Sequence, residues 1–211
     1  MEKSAIILSI DFTNKFGEDK GLIKLDNKPL LTYVIEAVEE LVEEIIIVTN
    51  KKEREKSYAK MFSSKVKFAC GADNSGGLLE AVLAGFEAAK GKYSLVLPFD
   101  SPFVSKDLAN LLFECCIGKS AVIPRSPDNK IEPVHAVYNT KQALEAAKSS
   151  MAKAEPDLEA MVGQMRGVRY ISTLVIEQID PDFRTFFVIK TPLDLKKALI
   201  MIKPRKLKKH A

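Results

Sequence analysis

The chain has 211 residues, 46% apolar and 28% charged, a balance that suits one α/β domain with a full core and excludes intrinsic disorder. No uncharged apolar run reaches the roughly 18 residues a membrane span needs. The formal charge of +4 is set by the tail, where Lys203, Arg205, Lys206, Lys208 and Lys209 carry five positive charges; the remainder, 4 − 5, is about −1, which offers no footprint for nucleic acid, and the tail reads as a solvated end first and a hook for an anionic partner second.

In chain order, SAIILSI (4–10) predicts the first strand. The stretch LSIDFTNKFGEDKGLIKL (8–25) follows it as a phosphate-turn-like loop ending on a lysine. PLLTYVIEAVEELV (29–42), with proline at its start and apolar Leu30, Val34, Ala37, Val38 and Leu41, predicts an amphipathic helix. EEIIIVT (43–49) and KVKFA (65–69) predict strands, and GLLEAVLAGFEAAKG (77–91) a helix closed by Gly91 at a C-cap-like position. YSLVLPF (93–99) is a strand, SKDLANLLFECC (105–116) a helix with Ser105 as N-cap and Asp107 in its first turn, and SAVIP (120–124) a strand. Beyond about residue 125, EPVHAVY (132–138) and RTFFVI (184–189) are strand-like additions to the same sheet, flanked by helices near 140–150, 156–166 and 192–201.

Nearly continuous apolar strands alternating with helices indicate buried parallel strands joined by right-handed crossovers. The expected architecture is α/β, a three-layer αβα sandwich around a mostly parallel sheet. It forms one domain over 1–202 with a solvated basic tail at 203–211. Cys70, Cys115 and Cys116 lack CxxC spacing and read as reduced core thiols. The opening apolar stretch is too short for a secretory signal, so the expected compartment is the cytoplasm.

Ligands of such sheets bind beyond the carboxyl ends of the strands, which brings forward Ile10 to Lys20 and Phe99 to Phe103. Leu8 to Lys20, followed by LIKL and KPLLTYVIEAV, together with EEIIIVTN, GADNSGGLLEAVLAGF, LPFDSPFV and TPLDL, resembles the molybdenum cofactor guanylyltransferase family. That family opens Leu-Ala-Gly-Gly-x-Ser-x-Arg-Met-Gly-x-Asp-Lys; Gly17, Asp19, Lys20 and the later Pro29 match. The resemblance implies a nucleotide-diphospho-sugar transferase fold of Rossmann-like type. It also implies transfer of GMP from GTP to a molybdopterin-like phosphate, with Mg²⁺ and release of pyrophosphate.

It further implies roles for individual residues. Lys20 would hold the phosphates, and Lys15 would stand in for an arginine, keeping the charge without the bidentate fork. Asp100 would hold Mg²⁺. Asp73 would read guanine, since one carboxylate accepts from both N1–H and N2–H. Ser9, Ile10, Asp11, Thr13, Gly17, Gly77 and Lys190 complete the implied nucleotide site. Plain alternatives stand beside these: a surface lysine at 15 or 20, a helix-capping turn at Asp100-Ser101-Pro102, and ordinary turn residues from Asp73 to Gly77. Glu132-Pro133 occupies a family Gln-Pro, and His135 lies in an alternating strand, where a lone histidine is ordinarily structural.

Three places depart from the pattern. Ile10 and Asp11 replace the Gly-Gly that lets a backbone approach a triphosphate, and a carboxylate there opposes phosphates by roughly 1 kcal/mol or more per contacting pair. Gly77-Leu78-Leu79-Glu80-Ala81 replaces Gly-Pro-Leu-Ala-Gly. Val188 and Lys190 replace both asparagines of Phe-x-Asn-x-Asn-Thr-Pro. One reading is a shifted active site in which Asp11 joins Asp100 around a metal and Lys190 adds positive charge. Another is a non-catalytic relative binding a nucleotide, a pterin or a partner enzyme in cofactor assembly. A third is a nucleotidyltransferase for cobinamide phosphate or a sugar phosphate. The enzymatic readings share one expectation: Lys20 and Asp100 face each other across a cleft at the top of the sheet.

Overall fold

In the computed structural model of the chain, residues 2–10, 15–50, 52–62, 65–71, 77–153 and 157–202 are described. Asp11, Phe12, Thr13, Asp73, Asn74, Ser75, Gly76 and the tail 203–211 lie outside them. The apolar runs of the first half form parallel strands: β1 (Lys3–Ser9), β4 (Glu44–Thr49), β5 (Val66–Cys70) and β6 (Tyr93–Pro98). β1 pairs with β4 on one side and β6 on the other, so Ile6 lies opposite both Ile46 and Val96. β8 (Ala136–Asn139) runs antiparallel to β6 and to β7 (Ala121–Arg125), and β9 (Val168–Ser172) is parallel to β7. The resulting seven-stranded order is β5-β4-β1-β6-β8-β7-β9.

Alternation along the strands makes two cores. Ala5 and Ile7 pack with α1 (Leu30–Val38) and α4 (Lys106–Cys116) on one face; Ile6 and Leu8 pack with α3 (Gly77–Ala88), α5 (Thr140–Met151) and α6 (Leu158–Gln164) on the other. Both faces are therefore covered, which is why these strands lack a polar side. Ser105 caps α4 as expected, accepting from the Leu108 N–H at 3.2 Å. A small hairpin, β2 (Lys24–Leu25) with β3 (Lys28–Pro29), buries Leu25 beside Leu30, Ile189 and Ala198 of the last helix, Pro192–Ile202. Among the described residues no helix is long and apolar enough to cross a membrane.

Several expectations are corrected. RTFFVI is not a strand: Arg184–Phe186 is a 3₁₀ turn and the following residues run extended without strand pairing. Asp180 accepts the N–H groups of Arg184 and Thr185 at 3.0 and 2.8 Å, and Phe183 adopts φ +49°, so the backbone is held in a turn while its aromatic rings are half-buried against the core. Cys116 is a buried thiol, pushed up to about 12 by burial, but Cys70 is exposed at the end of β5. Gly91 does not cap α3, which ends at Ala88. A Cβ at 91 would stand 2.4 Å from Ser4 Oγ and 2.8 Å from the β1 backbone, so glycine is required there by close approach. That crowding surrounds the buried Glu44, whose carboxylate accepts from Ser4 Oγ at 2.8 Å, Lys67 Nζ at 2.5 Å and the Lys90 N–H at 2.6 Å.

Candidate active site

The carboxyl ends of β1 and β6 lie side by side, with Leu8 opposite Pro98 and the Phe99 N–H donating to the Leu8 carbonyl at 3.3 Å. Asp100 therefore emerges next to Ser9 and Ile10. Lys20 opens a 3₁₀ turn, Lys20–Leu22, whose N-cap is Asp19. From there its Nζ donates to Asp100 Oδ2, in an ion pair whose members are 4% and 6% exposed. The ammonium also lies 5.4 Å from the centre of the Phe99 ring and 5.9 Å from that of Phe16. The two groups are brought into direct contact, a tighter arrangement than the facing pair the sequence suggests.

A cleft of about 580 Å³ opens at this point, with Ile10, Asp100, Glu132, His135, Phe186 and Lys190 in its wall. Ile10 forms part of the wall and leaves the cleft open. The extended chain after Phe186 crosses the strand ends, pinned by the Ile189 N–H donating to the Asp100 carbonyl at 3.0 Å, and this delivers the exposed Lys190 to the cleft. Lys15 is exposed in the turn before Lys20, and Gly17 and Gly77 adopt φ +73° and +69°. Ser9, Lys15, Gly17, Lys20 and Gly77 are not part of the cleft wall, so Lys20 touches Asp100 from outside the cleft instead of facing it across the opening. His135 is buried and pushed down to about 4 by that burial, so it is neutral; its Nε2 lies 3.1 Å from Ser101 Oγ, and Phe186 meets its ring edge-on. Burial raises Glu132 above the ordinary carboxyl range, opposed by the charges of Lys130 and Lys190.

Sequence reasoning missed Arg54 and Tyr58, both on α2 (Lys52–Ala59). Tyr58 donates to Asp19 Oδ1 at 2.8 Å, leaving its oxygen to accept from the buried Ser9 hydroxyl at 3.0 Å. Arg54 lies 3.4 Å from Asp19 Oδ2 and donates to the Ser9 carbonyl at 3.2 Å. Gly21 permits this approach, because a Cβ there would meet the Tyr58 hydroxyl at 2.4 Å. The network ties the end of β1 to the turn bearing Lys20, and burial pushes the Tyr58 hydroxyl above its ordinary value. In sequence, α2 is a charged run with no apolar stripe, and a lone tyrosine within it was the single available signal. Tyr58→Phe leaves Ser9 and Asp19 each short of a partner; it is expected to lower unfolding stability by about 1–3 kcal/mol. Urea midpoints at unchanged slope measure this, and an unshifted midpoint contradicts it.

The family model described as MobA-like NTP transferase domain matches residues 5–166. A relative named "Probable molybdenum cofactor guanylyltransferase" from Methanosarcina mazei is 31% identical over 198 residues, covering 92% of this chain and 88% of its own. A relative of the same name from Methanosarcina acetivorans is also 31% identical, with the same coverage. Among solved structures, molybdopterin-guanine dinucleotide biosynthesis protein A from Archaeoglobus fulgidus superposes with a TM-score of 0.77 at 20% identity, covering 94% of this chain and 97% of the other. The 4-diphosphocytidyl-2C-methyl-D-erythritol synthase of Anaerococcus prevotii superposes with a TM-score of 0.72 at 14% identity, covering 96% of each chain. At these identities the two structures speak for a shared nucleotidyltransferase fold. The match over most of the chain and the two archaeal relatives go further, and the chain belongs to the MobA-like NTP transferase domain family.

Proposed function

We propose that this protein transfers GMP from GTP to the phosphate of a molybdopterin-type acceptor. An acceptor phosphate oxygen attacks the α-phosphorus of GTP, a new P–O–P linkage forms, and the bond to the β-phosphate breaks to release pyrophosphate. The observation that carries this reading is the buried Lys20–Asp100 contact at the mouth of β1 and β6, in a chain whose relatives bear the guanylyltransferase name. Such a transfer needs reactants held in line and negative charge neutralised in a site that excludes water. Lys20 is already desolvated and held by Asp100, so its charge is oriented before substrate arrives.

In this reading Lys15 and Gly17, with Ser9, Ile10, Asp11 and Thr13, form the phosphate loop, Asp73 reads guanine ahead of Gly77, and Lys190 adds a second positive charge. Asp100 offers one hard carboxylate to a divalent ion. Among the described residues no group of three or more His, Cys, Asp or Glu side chains is arranged to hold a metal. That donor set suits Mg²⁺ arriving with the triphosphate, since this ion commonly takes one or two carboxylates and completes its shell with phosphate oxygens and waters. When bound, Mg²⁺ would neutralise charge building on the phosphates. The domain would span 1–202 and work in the cytoplasm, with 203–211 as a solvated tail.

A second reading, a non-catalytic relative that binds the same ligands, draws support from Ile10, whose branched side chain stands in the cleft wall. Incubation with GTP, Mg²⁺ and molybdopterin is expected to give saturable pyrophosphate release, with ATP and CTP poor substitutes. GTP binding without release favours the second reading. No binding at millimolar GTP removes both, and equal turnover with cobinamide phosphate or a sugar phosphate changes the acceptor.

A further inference from the structure

Glu132 stands in the wall of the same cleft, half-buried, and its carboxylate has no hydrogen-bond or ion-pair partner among the described residues. Its backbone is pinned. The Glu132 N–H donates to the Pro124 carbonyl at 3.0 Å, the His135 N–H donates to the Glu132 carbonyl at 3.1 Å, and the Tyr138 hydroxyl donates to the Pro133 carbonyl at 2.7 Å. A partly desolvated acceptor on a pinned backbone, with no protein donor among the described residues, carries a cost that a ligand's donors would remove.

The surroundings restrict which ligand can do this. Lys130 and Lys190 share the cleft wall and act electrostatically on Glu132, which disfavours a simple cation, while the carboxylate itself repels an anion. A neutral group with N–H donors is left. Leu78 and Val134 line this cleft and also an adjoining one of about 380 Å³, giving an apolar shelf continuous between the two. A flat heterocycle fits a shelf of this kind, with its donor edge on the carboxylate and any attached phosphate toward the lysines.

We propose that Glu132 is a specificity-determining residue whose carboxylate accepts the paired N–H donors of a 2-amino-4-oxopyrimidine edge lying on the Leu78–Val134 shelf. Guanine and pterin both carry that edge, so the ligand chemistry is shared by nucleotide and acceptor; their identity here rests on the function proposed above, and a nucleotide outcome would move the guanine contact from Asp73 to Glu132. Calorimetric titration of the full chain and its Glu132→Gln variant with GTP, ITP, pterin and lumazine separates the sources. Glutamine keeps the shape but turns an acceptor oxygen into a donor. If the edge belongs to the nucleotide, the variant loses about tenfold in GTP affinity and its preference for GTP over ITP, which lacks the 2-amino group. If it belongs to the acceptor, pterin weakens about tenfold and the GTP to ITP ratio holds. Independently of any variant, the unaltered protein must prefer GTP to ITP or pterin to lumazine, which lacks the 2-amino donor. Unchanged affinities in a variant with an unchanged urea midpoint overturn this inference alone. Failure of the unaltered protein to bind either GTP or pterin overturns both it and the proposed function.

Discussion

Lys20→Met is expected to lower guanylyl transfer by about 10²–10³-fold, the loss usual for removing one preorganised charge partner of a developing anion. The same change takes the ammonium away from the Asp100 carboxylate, which is 6% exposed, so unfolding stability should also fall, by about 3–5 kcal/mol. Two effects in one variant would be ambiguous, and the double variant Lys20→Met/Asp100→Asn separates them. With both charges gone the buried pair is neutral, and most of the stability should return. Activity should not. Denaturant midpoints and single-turnover rates on the three proteins measure the two arms. A double variant that regains activity together with stability would falsify the assignment of Lys20 to the chemistry and leave it a structural pair.

Glu44→Gln is expected to cost about 1–3 kcal/mol at neutral pH, at the end of the sheet opposite the cleft. Burial pushes the Glu44 carboxyl up, yet hydrogen bonds from Lys67, the Lys90 N–H and Ser4 outweigh it, and the folded-state value lies below the ordinary 4.5. Glutamine would set an amide N–H₂ against the Lys67 ammonium, or else give up the Ser4 and Lys90 bonds. Because folding lowers this carboxyl, its contribution is fully present above the unfolded value and is lost as pH falls through the folded one. The unaltered protein should therefore lose stability on acidification below about pH 4.5 more steeply than the Gln variant. Urea denaturation of both proteins across that interval decides it, and parallel curves refute the role given to Glu44. GTP binding should be unaffected, since Glu44 is remote from the strand mouths.

The core strands were legible because burial on both faces requires uninterrupted apolar runs. EIIIVT in β4 and YSLVLP in β6 show that pattern directly, and their ends mark where Lys20 and Asp100 matter. The apolar run RTFFVI was misread for the same reason: an apolar sequence reports burial, not backbone conformation, and two hydrogen bonds to Asp180 hold this one in a turn. VRYIS in β9 was passed over because a strand at the sheet edge, with three of its five residues exposed, carries too little apolar pattern. KEREKSYA, with its residues Arg54 and Tyr58, was silent because its buried atoms satisfy charge and hydrogen bonds and leave no stripe to detect.

The sequence by itself determined the α/β class, the strand and helix order of the first half, the family, and Lys20 and Asp100 as the groups to watch. Those follow from local periodicity and from short contiguous motifs. Only the tertiary structure decided that these two residues, eighty positions apart, touch in a buried ion pair. It also decided that Arg54 and Tyr58 brace the turn beneath them, and that Glu132, without a partner among the described residues, stands in the same cleft as Lys190. The physical reason is that such pairings form between strand ends and loops brought together by the sheet, and no interval along the chain records which charged side chain will lose its water.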